Sequence, residues 1–205
     1  NCSGVTMSTA LIMKTIVEES QSEVAQLMQE AASNQMEAQK PSYTDLVDAG
    51  QALMLARVDL AIPEQIGLKE ALVSSSWPCP STRATFLRNY SLMRGSETVA
   101  ATQWTLVDLA SRKILKIDAV DFGNYWMGDY QELIHEKFRI DKETLTAMQT
   151  VGQKEVRYSD LDYNGHMNNT YYLDVLCDYV PELAAGTHRV SFVRVHYSKE
   201  APLGD

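Results

Sequence analysis

The chain has 205 residues, 45% of them hydrophobic and 22% charged, which is enough for one large domain or two small ones around a substantial core. No run approaches the roughly 20 apolar residues that would span a bilayer, and a net charge of -9 argues against nucleic acid as a partner, since phosphate binding needs clustered Lys and Arg. The three cysteines, Cys2, Cys79 and Cys177, include no CxxC pair, so neither a disulfide framework nor a metal site is suggested and a reducing cytoplasm fits best.

The first predicted element is a long helix from Ser8 to about Ala32, on the spacing of Leu11, Ile12, Ile16, Val24, Leu27, Met28 and Ala31. Its small residues Ser20, Ser22 and Ala25 would let another layer pack closely around it. The opening NCSGVTMSTALIMK lacks an initiator Met and a targeting pattern, and the close, HYSKEAPLGD, stops at a turn where a further strand is expected. The chain is therefore expected to be incomplete at both ends.

After a polar segment from Lys40 to Asp48, strand signals follow in ALMLARVDLAI, ALVSSSW, TRATFLRNYSLM and TVAATQWTLVDL, the last two joined as a hairpin through Arg94 to Glu97. Residues from about Asp118 to Thr150 are mixed in period and charge-rich, and are expected to be a connector with short helical pieces. A short strand from Lys154 to Tyr158, a helix from about Asn169 to Tyr179 and a strand in HRVSFVRVHYSK complete the order. Helix followed by strand thus occurs twice, an α+β pattern in which a sheet covers a helical layer.

The stretch Tyr158 to Tyr172, YSDLDYNGHMNNTYY, concentrates two aspartates, three asparagines, a glycine and a histidine before the second helix. Part of this is turn and cap chemistry: Asn168, Asn169 or Thr170 can cap the helix, Gly165 can supply a turn and Asp160 an Asx-turn. Asp162, Asn164 and His166 alternate, and in an extended segment they would project to one side. A helix N-terminus can polarise a carbonyl becoming an oxyanion, and a carboxylate or histidine beside it can activate water or attack the acyl carbon. Acyl transfer to water is the chemistry that fits.

The string YSDLDYNGHMNNTYYLDVL resembles the motif of hotdog-fold thioesterases, in particular the acyl-acyl-carrier-protein thioesterases of bacteria and plastids, whose second domain carries D-x-N-x-H-V-N-N-x-x-Y. Asp162, Asn164, His166, Asn168, Asn169 and Tyr172 keep every polar position, and Met167 replaces the usual Val. SSSWPCPSTRATFLRNYSLMRGSETVAATQWTLVDLASRKIL is similar to the first-domain hairpin of that family, through Trp77-Pro78, the Arg-rich strand, Gly95, Trp104 and the aspartate-containing turn with Arg112. The resemblance runs from about Met7 to Asp205.

It implies a tandem, or double, hotdog: each half a long helix wrapped by an antiparallel sheet, with the second half incomplete at its C-terminus. Residues 1–120 would be a non-catalytic half that shapes the acyl pocket, 121–150 a connector and 151–205 the half carrying the active site. The family's catalytic Glu, on the strand after the second helix, aligns with Glu200. Ala201 follows it, which removes a nucleophilic Cys at that place, and Cys177 inside the helix is read as a core residue.

The implied site therefore comprises Asp162, Asn164, His166 and Glu200 as catalytic groups, with Asn168, Asn169 and Tyr172 on the substrate side and no metal or cofactor. The implied reaction is hydrolysis of fatty acyl thioesters on acyl carrier protein, in a bacterial cytoplasm, with a homodimer left open. Arg112, Lys113, Lys116, Lys137 and Arg139 are candidates for a local basic surface facing an acidic carrier protein. Met54, Met93 or Trp104 can line the acyl pocket or fill the core. An acyl-CoA thioesterase of the same fold and a non-hydrolytic acyl-binding protein are the alternatives.

Overall fold

The computed structural model describes residues 9–13, 21–61, 74–92, 98–123, 125–133, 142–147, 150–197 and 199–205. Strand β1 (Thr9–Met13) opens it, followed by helices α1 (Gln21–Glu37) and α2 (Tyr43–Asp48). Strands β2 (Gln51–Ala61), β3 (Ser74–Thr82), β4 (Thr85–Leu92) and β5 (Thr98–Asp108) come next. Helices α3 (Lys142–Ala147), α4 (Tyr171–Asp178) and α5 (Pro181–Ala184) precede the last strand, β6 (Val190–His196). Helix and antiparallel sheet are thus combined as the α+β pattern requires.

The strands form one six-stranded sheet in the order β1-β6-β2-β5-β4-β3, with every pairing antiparallel. The β4–β5 hairpin is present, and its turn, Arg94 to Glu97, lies outside the described residues. Helix α1 crosses one face of the sheet. Its buried Val24, Ala25, Met28 and Ala32, at helical spacing, meet Val58 and Leu60 of β2, Tyr90 of β4, Val193 and Val195 of β6 and Leu173 of α4. A second cluster joins Met36, Leu46, Leu53, Phe86 and Leu106. A third, Val156, Met167, Tyr172, Val175 and Ala201, ties the second half together.

Several predicted elements are corrected. The expected helix from Ser8 begins instead at Gln21, and Thr9–Met13 pairs with β6. A short apolar run such as ALIM fits a strand as well as a helix by periodicity, and the free edge of β6 decides between them. Lys154 to Tyr158 is not a strand: Val156 donates to the Asp205 carbonyl and accepts from the Gly204 N–H, so this segment bonds to the chain's closing turn, away from the sheet. The second helix starts two residues later than expected, and Pro181 does not only end it but opens α5 at a first-turn position, where its missing N–H costs nothing.

The polar segment Lys40 to Asp48 contains α2, whose capping box pairs the Ser42 hydroxyl with the Asp45 N–H (3.1 Å) and the Asp45 carboxylate with the Ser42 N–H (2.7 Å). In place of a long helix, the second half has the eight-residue α4, and its strand β6 inserts between β1 and β2 of the sheet that the first half builds.

The sheet face turned away from α1 is polar. Arg57 and Asp59 of β2 stand opposite His196 and Arg194 of β6, and the connector lies over this face through Trp77 Nε1 to the Asp129 carbonyl and a reciprocal pair between Asn89 and Gln131. Burial, and then the Arg57 and Arg194 guanidinium groups, lower the pKa of His196 from its ordinary 6.5. The unfolded chain thus takes up this proton before the folded one. Its contribution to stability is full above about pH 6.5 and is lost as pH falls toward the lowered folded value. In urea unfolding at pH 7.5 and 5.5, His196→Gln is expected to lose less stability on acidification than the wild type; an equal loss in both would refute this role.

Candidate active site

The motif folds as a tight loop. Asp162 N–H donates to the His166 carbonyl (2.8 Å), Gly165 N–H donates to the Asp162 carbonyl (3.1 Å), and Gly165 takes φ +79°, which a side chain would strain. The Asp162 carboxylate oxygen Oδ1 accepts the backbone N–H groups of Asn164 (2.8 Å) and His166 (3.4 Å). Asp162, Asn164 and His166 are therefore not aligned along an extended segment as expected. The aspartate closes the turn, Asn164 sits at its exposed tip, and His166 emerges half-buried on the far limb. Asp160 anchors the near limb: its carboxylate accepts the Arg157 N–H and pairs with Lys154 at 2.8 Å, and its carbonyl accepts from Asn168. Burial raises the Asp160 pKa, but the Lys154 ammonium and the Arg157 contact outweigh it and hold the carboxyl below its usual range.

The last residues of the chain lie beside this loop. Met167 N–H donates to the Ala201 carbonyl (2.8 Å), and His166 forms a bridge with Pro202. That pairing sets the Glu200 carboxylate against the imidazole, with Oε2 3.5 Å from His166 Nε2. The other carboxylate oxygen, Oε1, lies 3.4 Å from Nη1 of Arg112, which arrives from the turn after β5. Tyr43 of α2 also approaches. Burial, and then the neighbouring Tyr163 hydroxyl and Asp162, push its hydroxyl up to about 12, so it remains a neutral hydrogen-bonding group.

At the start of α4, Asn168 Oδ1 accepts from both the backbone and the hydroxyl of Thr170 (3.0 Å each), and the Asn169 carbonyl accepts from Tyr197 (2.8 Å). Tyr172 is buried with its ring edge-on to Tyr197 (5.4 Å between centroids), so it supports the wall from behind. A groove of about 400 Å³, counting its open mouth, begins at Asn169, Thr170 and Tyr197 and continues between α1 and the sheet past Met28, Val58, Leu173 and Trp104. Trp104 therefore lines it, Met54 does not, and Met93 lies outside the described residues. Asn169 is three residues beyond His166 and Tyr197 three before Glu200, which keeps the mouth within about 10 Å of the pair along either chain.

The family profile described as "Acyl-ACP thioesterase C-terminal domain" matches residues 143–205. Over this segment, less than half of its length, the chain is similar to acyl-ACP thioesterase C-terminal domains. Among solved structures, an acyl-ACP thioesterase from Bacteroides thetaiotaomicron superposes with a TM-score of 0.77 at 20% identity, covering 97% of this chain and 84% of that one. The 12:0-ACP thioesterase from Umbellularia californica gives a TM-score of 0.68 at 18% identity, covering 96% of this chain and 83% of that one. Likeness at such identities speaks to the fold, here along nearly the whole chain. A comparison with curated proteins finds no match.

The matched segment holds His166, Glu200 and one end of the groove, while Arg112, Tyr43 and most of the groove wall come from outside it. Sequence reasoning placed Arg112 on a surface and passed over Tyr43. The Ser42-x-x-Asp45 capping signal could have located α2, but nothing local says that its first residue faces the motif. Lys137 and Arg139 lie outside the described residues, whereas Arg112, Lys113 and Lys116 are exposed.

Proposed function

We propose that this protein hydrolyses the thioester of a fatty acyl group carried on acyl carrier protein and releases the free fatty acid. The observation that carries this reading is the His166–Glu200 pair, 3.5 Å apart, each three residues along the chain from a residue, Asn169 or Tyr197, that lines an apolar groove. The family match over the same segment gives it independent support. In this reading the acyl chain lies in the groove and its thioester carbonyl sits near the start of α4. The N–H groups of Thr170 and Tyr171 are taken by Asn168, so those of Asn169 and Tyr172 are the candidates to hold the developing oxyanion.

Glu200 and His166 then take a proton from the attacking water as its oxygen bonds to the acyl carbon, and return that proton to the departing thiolate as the C–S bond breaks. Asp162, with Asn164, holds the loop that carries His166. Asn168 shapes the helix start, and Tyr172 buttresses Tyr197. The chemistry can be completed by side chains and water without a cofactor.

The architecture is read as a tandem hotdog, with residues 1–120 forming the pocket, 121–150 a connector and 151–205 the active-site half, acting in the cytoplasm. No helix among the described residues is long and apolar enough to cross a membrane. The exposed Lys113 and Lys116, next to Arg112 in the chain, offer a basic face to an acidic carrier protein.

Thiol release from a matched panel of acyl-carrier-protein and acyl-CoA thioesters tests the reading. Higher kcat/KM on the carrier-bound substrates is expected. Preference for CoA would reassign the carrier, and no hydrolysis of either would leave an acyl-binding protein. Groove filling gives a second test, because Val58 is buried on the wall. Val58→Phe is expected to shift turnover toward shorter acyl chains at a stability cost of about 1–3 kcal/mol, read by chromatography of the released acids. An unchanged chain-length profile in a folded variant would remove Val58 from the acyl path.

A further inference from the structure

Arg112 has a geometry that surface solubility does not require. It closes a tight turn, donating its N–H to the Asp108 carbonyl (2.9 Å), while the Asp108 carboxylate accepts the N–H (2.7 Å) and hydroxyl (2.6 Å) of Ser111. Its φ is +56°, the left-handed conformation that costs a residue with a Cβ and favours glycine or asparagine. An arginine here carries a conformational cost in a turn that glycine would close more easily, and strain of this kind gathers at functional sites.

What the side chain does is reach across to the other half of the chain. Nη1 of Arg112 meets Glu200 Oε1 at 3.4 Å while Glu200 Oε2 faces His166 Nε2 at 3.5 Å. Each carboxylate oxygen thus has its own partner, which restricts rotation of the Glu200 head group. The pair is worth little to folding, because the Arg112 side chain is 60% exposed and water screens the attraction. Its effect falls on orientation.

We propose that Arg112 is a positioning residue for the hydrolysis: it anchors one oxygen of Glu200 from the first half, so that the other is presented to His166 and the reacting water. This rests on the assignment of Glu200 and His166 above. It makes the active site a joint product of both halves, since the thioesterase segment alone lacks this anchor. It also separates Arg112 from Lys113 and Lys116, whose exposed ammonium groups remain candidates for carrier docking.

The experiment uses the full chain with Arg112→Gly, Arg112→Lys, Glu200→Gln and the Arg112→Gly/Glu200→Gln double variant. Each is assayed on an acyl-carrier-protein thioester and on the acyl-CoA of the same chain length. Arg112→Gly relieves the backbone and removes the side chain, so the melting temperature is expected to hold or rise. Turnover should meanwhile fall roughly ten- to hundredfold in kcat on both substrates, the size expected for losing one charge-assisted hydrogen bond, with little change in KM. Arg112→Lys should recover part of that loss, and in single-turnover assays the double variant should be no slower than Glu200→Gln.

Undiminished kcat in Arg112→Gly beside an impaired Glu200→Gln overturns the proposal and leaves the site standing. A rise in KM confined to the carrier-bound substrate overturns it in favour of docking, as does a multiplicative loss in the double variant in favour of a role independent of Glu200. Full turnover in Glu200→Gln overturns both the proposal and the site beneath it.

Discussion

Glu200→Gln and His166→Ala are each expected to lower kcat by about a hundredfold or more, the range for removing an acid–base group, while leaving the fold intact. Their 3.5 Å approach joins the side chains of the motif to the last residues of the chain, and both side chains are about one-third exposed (29% and 33%). Truncation therefore leaves neither a large cavity nor a buried unpaired charge, and urea midpoints should stay near the wild-type value. Asp162→Asn is a useful contrast. Its Oδ1 accepts two backbone N–H groups of the turn, and an asparagine oxygen can keep both, so this change should cost less turnover than Asp162→Ala, which opens the loop. Near-wild-type turnover in both Glu200→Gln and His166→Ala would remove the proposed site.

Asp59→Ala is expected to be the most damaging single change to stability. Asp59 is fully buried and holds Arg194 through two hydrogen bonds of 2.6 and 2.7 Å, with Arg57 at 3.0 Å on the same carboxylate. The Asp59 hydrogen bond, opposed by burial, raises the basicity of Arg194, so the guanidinium keeps its charge in the sheet. Removing the carboxylate leaves two cations side by side and takes away the counter-charge closest to both, the Glu132 carboxylate standing off at 4.0 Å from Arg57. Breaking a buried ion pair on one side costs about 3–5 kcal/mol, comparable with half the stability of many domains. Urea unfolding of Asp59→Ala against the wild type measures it, and a loss below about 1 kcal/mol would mean that water reaches the cluster and screens it. Because the cluster lies on the face away from α1 and the groove, the variant should keep its kcat at temperatures where it remains folded.

Much of the local design was legible in the amino-acid order because it depends on near neighbours. Runs rich in β-branched and aromatic residues marked β4 and β5, and the spacing of Val24 and Met28 marked part of the buried stripe of α1, which Ala25 and Ala32 complete while Leu27, expected on it, is exposed. The polar run from Asp160 to Tyr172 marked the loop before α4, and its likeness to a thioesterase motif pointed to His166 and, by alignment, Glu200. The errors fell where a segment's partner is distant in sequence. ALIM is a strand only because β6 offers it an edge. Lys154 to Tyr158 looks like a strand but spends its hydrogen bonds on Gly204 and Asp205. Asp162 alternates with Asn164 and His166 in sequence, yet a loop pinned by its own carboxylate destroys that alternation. Tertiary structure alone decided that Glu200 meets His166, that Arg112 reaches the same carboxylate, and that one sheet takes strands from both halves. These are contacts between residues tens of positions apart, and their geometry is set by the packing of α1, α4 and the sheet around a shared core, which no periodicity within a single element encodes.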